Sequence, residues 1–118
     1  VFLGWVRGND KDKAFKEASI FCLPSYAEGF PMGVLDAWAY GLPVITTPVG
    51  GIPDIAKDGT NCLLFNPGDT NKLAEQMDKM MSSEELRKLV ASESNELAKG
   101  IFSVDKVTER LENIYQNL

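Results

Sequence analysis

Four short apolar runs, Val1–Gly4, Ile20–Leu23, Pro43–Thr46 and Cys62–Phe65, recur along the chain with helix-length segments between them. Each run has strand length and little polar alternation, the pattern of strands covered on both faces. A sheet with one face in water would alternate apolar and polar residues instead. Strand–helix alternation of this kind implies right-handed crossovers and an α/β fold, a three-layer, doubly wound, Rossmann-like parallel sheet. The 118 residues suit one compact domain. The first run opens the chain without a methionine, and a strand with nothing before it leaves backbone groups unpaired. Either more chain precedes this strand or it lies at a sheet edge, and the favoured reading is a domain truncated at its N-terminus.

The intervening segments carry helical spacing. Asp12–Ala18 places Ala14, Phe15 and Ala18 on one side, and Met32–Tyr40 carries Leu35, Ala37, Trp38 and Ala39. A short helical turn is expected over Pro53–Lys57, with Asp58-Gly59 turning the chain into the fourth run. Beyond Phe65, Asn66-Pro67-Gly68-Asp69 forms a turn, and Asp69 caps a helix bearing Leu73, Met77, Met80 and Met81. Ser82 with Glu85 makes a capping box for a second helix bearing Leu86, Leu89, Val90 and Leu97, and Gly100 ends it. A last helix, from about Ser103, carries Val104, Val107, Leu111, Ile114 and Leu118. All three are one-sided in their apolar residues and need a surface to pack on, which the sheet supplies.

Charge and composition exclude several functions. The net charge is −5 with acidic and basic residues mixed, which argues against nucleic acid as a partner. Neither a run of ~20 apolar residues nor a signal-peptide pattern occurs. Cys22 and Cys62 both sit inside apolar runs, where a free thiol behaves as a small apolar residue. That usage fits a reducing compartment better than a disulfide framework. With no histidine and two distant cysteines, no metal site is expected.

The stretch with most chemistry follows the second run: Ser25-Tyr26-Ala27-Glu28-Gly29-Phe30-Pro31-Met32-Gly33-Val34-Leu35-Asp36. Ligands of open parallel sheets bind outside the carboxyl ends of the strands, where this loop falls. Gly29 allows close backbone approach, and Pro31 suits the first helical position, where its missing N–H costs nothing. The N–H groups of Met32, Gly33 and Val34 then point out of the helix start. A diphosphate there gains hydrogen bonds and roughly 0.3–1 kcal/mol from the helix dipole. Glu28 and Asp36 lie at opposite ends of this site, spaced for two hydroxyl-bearing parts of one long ligand.

The run Glu28–Asp36, continued by Ala37-Trp38-Ala39-Tyr40-Gly41-Leu42-Pro43-Val44-Ile45 and by Gly50-Gly51-Ile52-Pro53-Asp54-Ile55, resembles the retaining glycosyltransferases of GT-B fold, family 4. Their signature is a glutamate, seven residues, a second glutamate, a glycine-proline-valine strand and a double glycine. Pro24-Ser25, Phe102-Ser103 and Ile114-Tyr115 fit it too, so the resemblance covers nearly the whole chain. It implies the C-terminal, donor-binding domain of a two-domain enzyme that moves a sugar from a nucleoside diphosphate to a glycan or lipid acceptor. Glu28 matches the glutamate that contacts the transferred sugar and takes the catalytic role. Gly29, Phe30, Pro31, Met32, Gly33 and Val34 match the segment that holds diphosphate and sugar. Asp36 replaces the ribose-binding glutamate with a side chain one methylene shorter, and Val6 falls where backbone touches the base.

The resemblance places the basic diphosphate clamp, the acceptor domain and any peripheral membrane contact upstream of residue 1. It implies no cofactor and no metal, a cytoplasmic location at the inner face of the membrane, and a role in cell-envelope polysaccharide synthesis. The chain alone is expected to be inactive. An epimerase of the same fold and a non-catalytic nucleotide-sugar-binding module are the alternatives. Asp10-Lys11-Asp12 has the form of a metal-holding pair in the other large glycosyltransferase fold. At the start of a charged helix it reads instead as dipole-favouring acid.

Overall fold

The computed structural model describes residues 3–4, 6–29, 32–101 and 111–117. In chain order they form α1 (Asn9–Glu17), β1 (Phe21–Leu23), α2 (Met32–Ala39), β2 (Val44–Thr46), α3 (Ile52–Ile55), β3 (Leu63–Leu64), α4 (Thr70–Ser82) and α5 (Glu84–Ile101). Residues 111–116 are helical as well. The three strands make one parallel sheet in the order β1-β2-β3. Cys22 stands opposite Ile45, and Ile45 opposite Leu63.

Strand periodicity sends alternate residues to two separate cores. Phe21, Leu23, Val44, Cys62 and Leu64 face one side with Val34, Ala37 and Trp38 of α2 and Ile52 of α3. Cys22, Ile45, Leu63 and Phe65 face the other, with Leu73 and Met80 of α4 and Leu86 and Val90 of α5. The result is the expected three layers. Helix α5, 18 residues long, serves both cores: its start packs in the second, while Leu97 and Ala98 join the first. There Asn95 Nδ2 donates to the Trp38 carbonyl at 2.9 Å.

The edge strand β3 has its backbone occupied by side chains, which blunts strand addition there. The Leu64 N–H donates to Asp58 Oδ1 at 3.0 Å, and Gln76 Nε2 donates to the Leu64 carbonyl at 2.8 Å. Both thiols are free. Burial, helped by the Asp58 carboxylate, pushes the Cys62 thiol up to about 12, and burial also raises Cys22. Each stays protonated near neutral pH and packs as an apolar group.

Several boundaries differ from those read in the sequence. Leu3 and Gly4 belong to no strand, and Val1 and Phe2 lie outside the described residues. Helix α1 begins at Asn9 rather than Asp12, because Gly8 at φ 61 turns the chain in ahead of it and puts Asp10 and Asp12 into the first turn. Asp69 caps α4 as expected, accepting from the Lys72 N–H.

The cap of α5 is Ser83, one residue beyond Ser82: the Leu86 N–H donates to Ser83 Oγ at 3.1 Å. Ser82 still belongs to α4, its hydroxyl bonded back to the Asp78 carbonyl at 2.6 Å. Gly100 lies inside α5. Of the last predicted helix, residues 103–110 and Leu118 fall outside the described residues. The two serines can be told apart by urea unfolding. Ser83→Ala is expected to destabilise by about 1 kcal/mol, and Ser82→Ala by less than about 0.5 kcal/mol.

Candidate functional site

The loops that leave β1 and β2 lie side by side at the carboxyl end of the sheet, where crossover connections open a crevice. Hydroxyls extend the ladder past the last strand residues. Thr46 Oγ1 donates to the Leu23 carbonyl at 2.9 Å, and Thr47 Oγ1 to the Ser25 carbonyl at 2.7 Å. Both threonines are fully buried. Further on, the Gly51 N–H donates to the Gly29 carbonyl at 3.0 Å. Between these contacts Gly50, at φ +57, lies flush against Glu28: a Cβ there would stand 1.7 Å from the Glu28 carbonyl oxygen. Only glycine fits that approach.

Glu28 is half-buried, and Ser25 Oγ donates to its Oε1 at 2.6 Å. Among the described residues no other donor reaches this carboxylate. Helix α2 starts just beyond. Its first turn is anchored from below, since Val34 is fully buried and Gly33 abuts the Phe21 ring, whose Cζ would lie 3.3 Å from a Cβ there. Met32 is 57% exposed. Phe30 and Pro31 lie outside the described residues. The first-turn N–H groups of α2 and the Glu28 carboxylate thus share the end of β1, one offering donors and the other acceptors.

Asp36 lies one turn along α2, on the stripe shared by Met32 and Gly33. Its Oδ2 is 3.0 Å from Lys11 Nζ of α1, with the two side chains 37% and 44% exposed. On the next turn the Tyr40 hydroxyl donates to Asp12 Oδ1 at 2.5 Å, and Lys16 pairs with Asp12 Oδ2 at 2.9 Å. Tyr40 first and Lys16 second hold the Asp12 carboxyl below its ordinary value, and Asp12 in turn raises the Tyr40 phenol. Half of the Asp10-Lys11-Asp12 pair is therefore committed to an α1–α2 contact. Phe15 stacks on both Tyr40 and Phe21, at 5.0 and 5.8 Å between ring centroids.

Val6, with Leu3, lines a shallow hollow over Asp10, Lys13, Ala14 and Glu17 of α1. Three residues with a part in the geometry carried no assigned role in the sequence reading: Ser25, Thr47 and Lys11. Their partners lie 3, 22 and 25 positions away, and only the first is within reach of a local pattern.

Residues 1–83 match the family model for glycosyl transferases group 1. The chain belongs to this family. Among relatives of the group 1 glycosyltransferases, the sulfoquinovosyl transferase SQD2 of Arabidopsis thaliana is 32% identical over 99 residues, 81% of this chain and 19% of that protein. The C-terminal domain of the Francisella tularensis group 1 protein LpcC superposes with a TM-score of 0.77 at 27% identity, over 87% of this chain and 53% of that one. The Anabaena HepE structure with UDP and glucose reaches 0.91 at 22% identity, over 100% and 32% of the two chains. The fold is that of the C-terminal domain of GT-B glycosyltransferases. This chain accordingly spans only part of each relative. No described helix of this glycosyltransferase chain is long and apolar enough to cross a membrane.

Proposed function

We propose that this chain forms the donor-binding part of a retaining glycosyltransferase that takes a hexose from a nucleoside-diphosphate sugar. The observation that carries the reading lies in the connection after β1: the Glu28 carboxylate held by Ser25 shortly before α2 begins at Met32, with Gly50 pressed against the Glu28 backbone. The UDP and glucose held by the Anabaena relative support a nucleotide-sugar donor here. Breaking the bond between the anomeric carbon and the diphosphate leaves negative charge on the leaving group. First-turn N–H groups of α2 meet that charge without reorganising, which is where preorganised donors have most effect. Glu28 Oε2 accepts from hydroxyls of the sugar and holds the ring while an acceptor hydroxyl bonds to the anomeric carbon on the face the diphosphate leaves, its proton passing to the departing diphosphate. In this reading no metal is required, because the helix start and basic residues outside the chain neutralise the diphosphate.

Asp36 takes the ribose hydroxyls with Oδ1 while Lys11 retains Oδ2. The acceptor, a glycan or lipid, is bound by parts of the enzyme beyond this chain, and the reaction belongs to the cytoplasmic side of cell-envelope polysaccharide synthesis. The Lys11–Asp36 pair favours a second reading, a binding module without turnover, since one acceptor of Asp36 is already occupied.

The full-length protein separates the two when offered UDP-glucose, UDP-N-acetylglucosamine, GDP-mannose and ADP-glucose together with glycan and lipid acceptors. Release of nucleoside diphosphate from one of them is expected, with the α-configuration of the donor kept in the product by NMR. An inverted linkage rules out retention, and binding without turnover selects the module.

A further inference from the structure

We propose that Ser25 is a positioning residue for Glu28, and that the buried Thr47 sets it in place. The inference rests on the transferase reading above and deepens it. A glutamate on a loop has three rotatable side-chain bonds, and nothing in its own backbone selects one rotamer. Here Ser25 Oγ holds Oε1 at 2.6 Å, a short contact of the kind made by a neutral hydroxyl to an ionised carboxylate. A serine that only closed a turn would bond the backbone three residues on, as Ser83 does to the Leu86 N–H. Ser25 bonds the side chain instead.

The serine is itself held from the core. Its carbonyl accepts from Thr47 Oγ1 at 2.7 Å, and Thr47 is fully buried one residue beyond β2. The Glu28 backbone is fixed separately, by Gly50 against its carbonyl and by the Gly51 to Gly29 hydrogen bond next to it. Backbone and carboxylate of Glu28 are thus located by two independent contacts from the β2 side. The first places the residue, and the second, through Ser25, chooses which oxygen faces the ligand. With Oε1 occupied, Oε2 is the oxygen left to the sugar.

A residue acting this way changes turnover more than donor affinity, because a misaimed carboxylate loses its contact at the reacting sugar while the diphosphate stays bound. The test is a double-mutant cycle in the full-length transferase, with the donor from the panel above that the wild type turns over. Ser25→Ala is expected to lower kcat by about tenfold, the size of one lost hydrogen bond to a charged group. Donor KM should move less than about threefold, unfolding temperature should stay within a few degrees of wild type, and Ser25→Thr should restore the rate. In a Glu28→Ala background the same Ser25→Ala change is expected to alter kcat by less than about twofold, since nothing is left to position.

An equal tenfold loss in both backgrounds overturns the proposal, as does no loss in the wild-type background. A large fall in unfolding temperature for Ser25→Ala makes the serine structural and overturns it too. If Glu28→Ala is harmless, or the wild type turns over no donor, the transferase reading itself fails and takes this inference with it. The Ser25 result in an active enzyme distinguishes the two failures.

Discussion

Replacing Gly50 with alanine is expected to destabilise the protein by roughly 3 kcal/mol or more and to cut sugar transfer by about 100-fold or more. Two effects combine at this position. The left-handed φ of +57 costs a residue with a Cβ about 1–2 kcal/mol. The added methyl would also stand 1.7 Å from the Glu28 carbonyl oxygen and 2.5 Å from its carbon, and both are backbone atoms that no rotamer change can move aside. The loop after β1 must therefore shift, taking Glu28 with it.

Gly41 provides the control. It has a similar φ of +74 but nothing within 4 Å of its Cβ position. Gly41→Ala is expected to cost only the backbone term, about 1–2 kcal/mol, with turnover unchanged once the protein is folded. Urea unfolding and a donor-turnover assay on the two variants separate strain from collision. Equal losses at both sites would mean that the Glu28 loop is not held by Gly50.

Replacing Glu28 with alanine in the full-length enzyme is expected to lower kcat by about 100- to 1,000-fold, the range for removing one well-placed polar group from a reaction centre. Donor affinity, measured by titration without acceptor, is expected to change less than about threefold, because the proposed site puts the diphosphate at the α2 start rather than on this carboxylate. A loss confined to kcat marks a contact made mainly in the transition state. If affinity falls and kcat does not, Glu28 is a ground-state contact. If neither changes, Glu28 leaves the mechanism altogether.

Local chemistry was read well from the chain wherever its cause was local. The apolar runs without polar alternation declared a sheet covered on both faces, and Cys22 and Ile45 do face one core while Leu23 and Val44 face the other. Asp69 is the cap of α4, since a turn followed by a one-sided helix leaves few other candidates. The Ser82-Ser83 pair shows the limit. Both serines precede an acidic residue and an apolar helix, and the choice depended on how far α4 runs before it ends. Ser82 bonds back to Asp78 and prolongs that helix, which moves the cap to Ser83. Gly100 misled for a related reason. A glycine inside a helix costs about 1 kcal/mol, and the packing of Leu97 and Ala98 in the first core outweighs it, so α5 continues to Ile101.

The candidate site divides along the same line. Its residue types were written in the chain: a carboxylate at Glu28, a helix start at Met32, a second carboxylate at Asp36 and a double glycine at Gly50-Gly51. The order of the first three along one loop and one helix follows from covalent connection, which is why a motif can carry it. How the Glu28 carboxylate is held, which partner Asp36 already has, and why Gly50 must be glycine depend on Ser25, Lys11 and the backbone of a neighbouring loop. The Ser25 contact is local, but those of Asp36 with Lys11 and of Gly50 with Glu28 form only when α1 is laid beside α2 and β2 beside β1. A hydrogen bond or a collision between residues some 22 positions apart leaves no periodicity behind it. The sequence by itself determined the layers of the fold and the chemical groups at the carboxyl end of the sheet; the parallel packing of its strands decided how those groups are aimed.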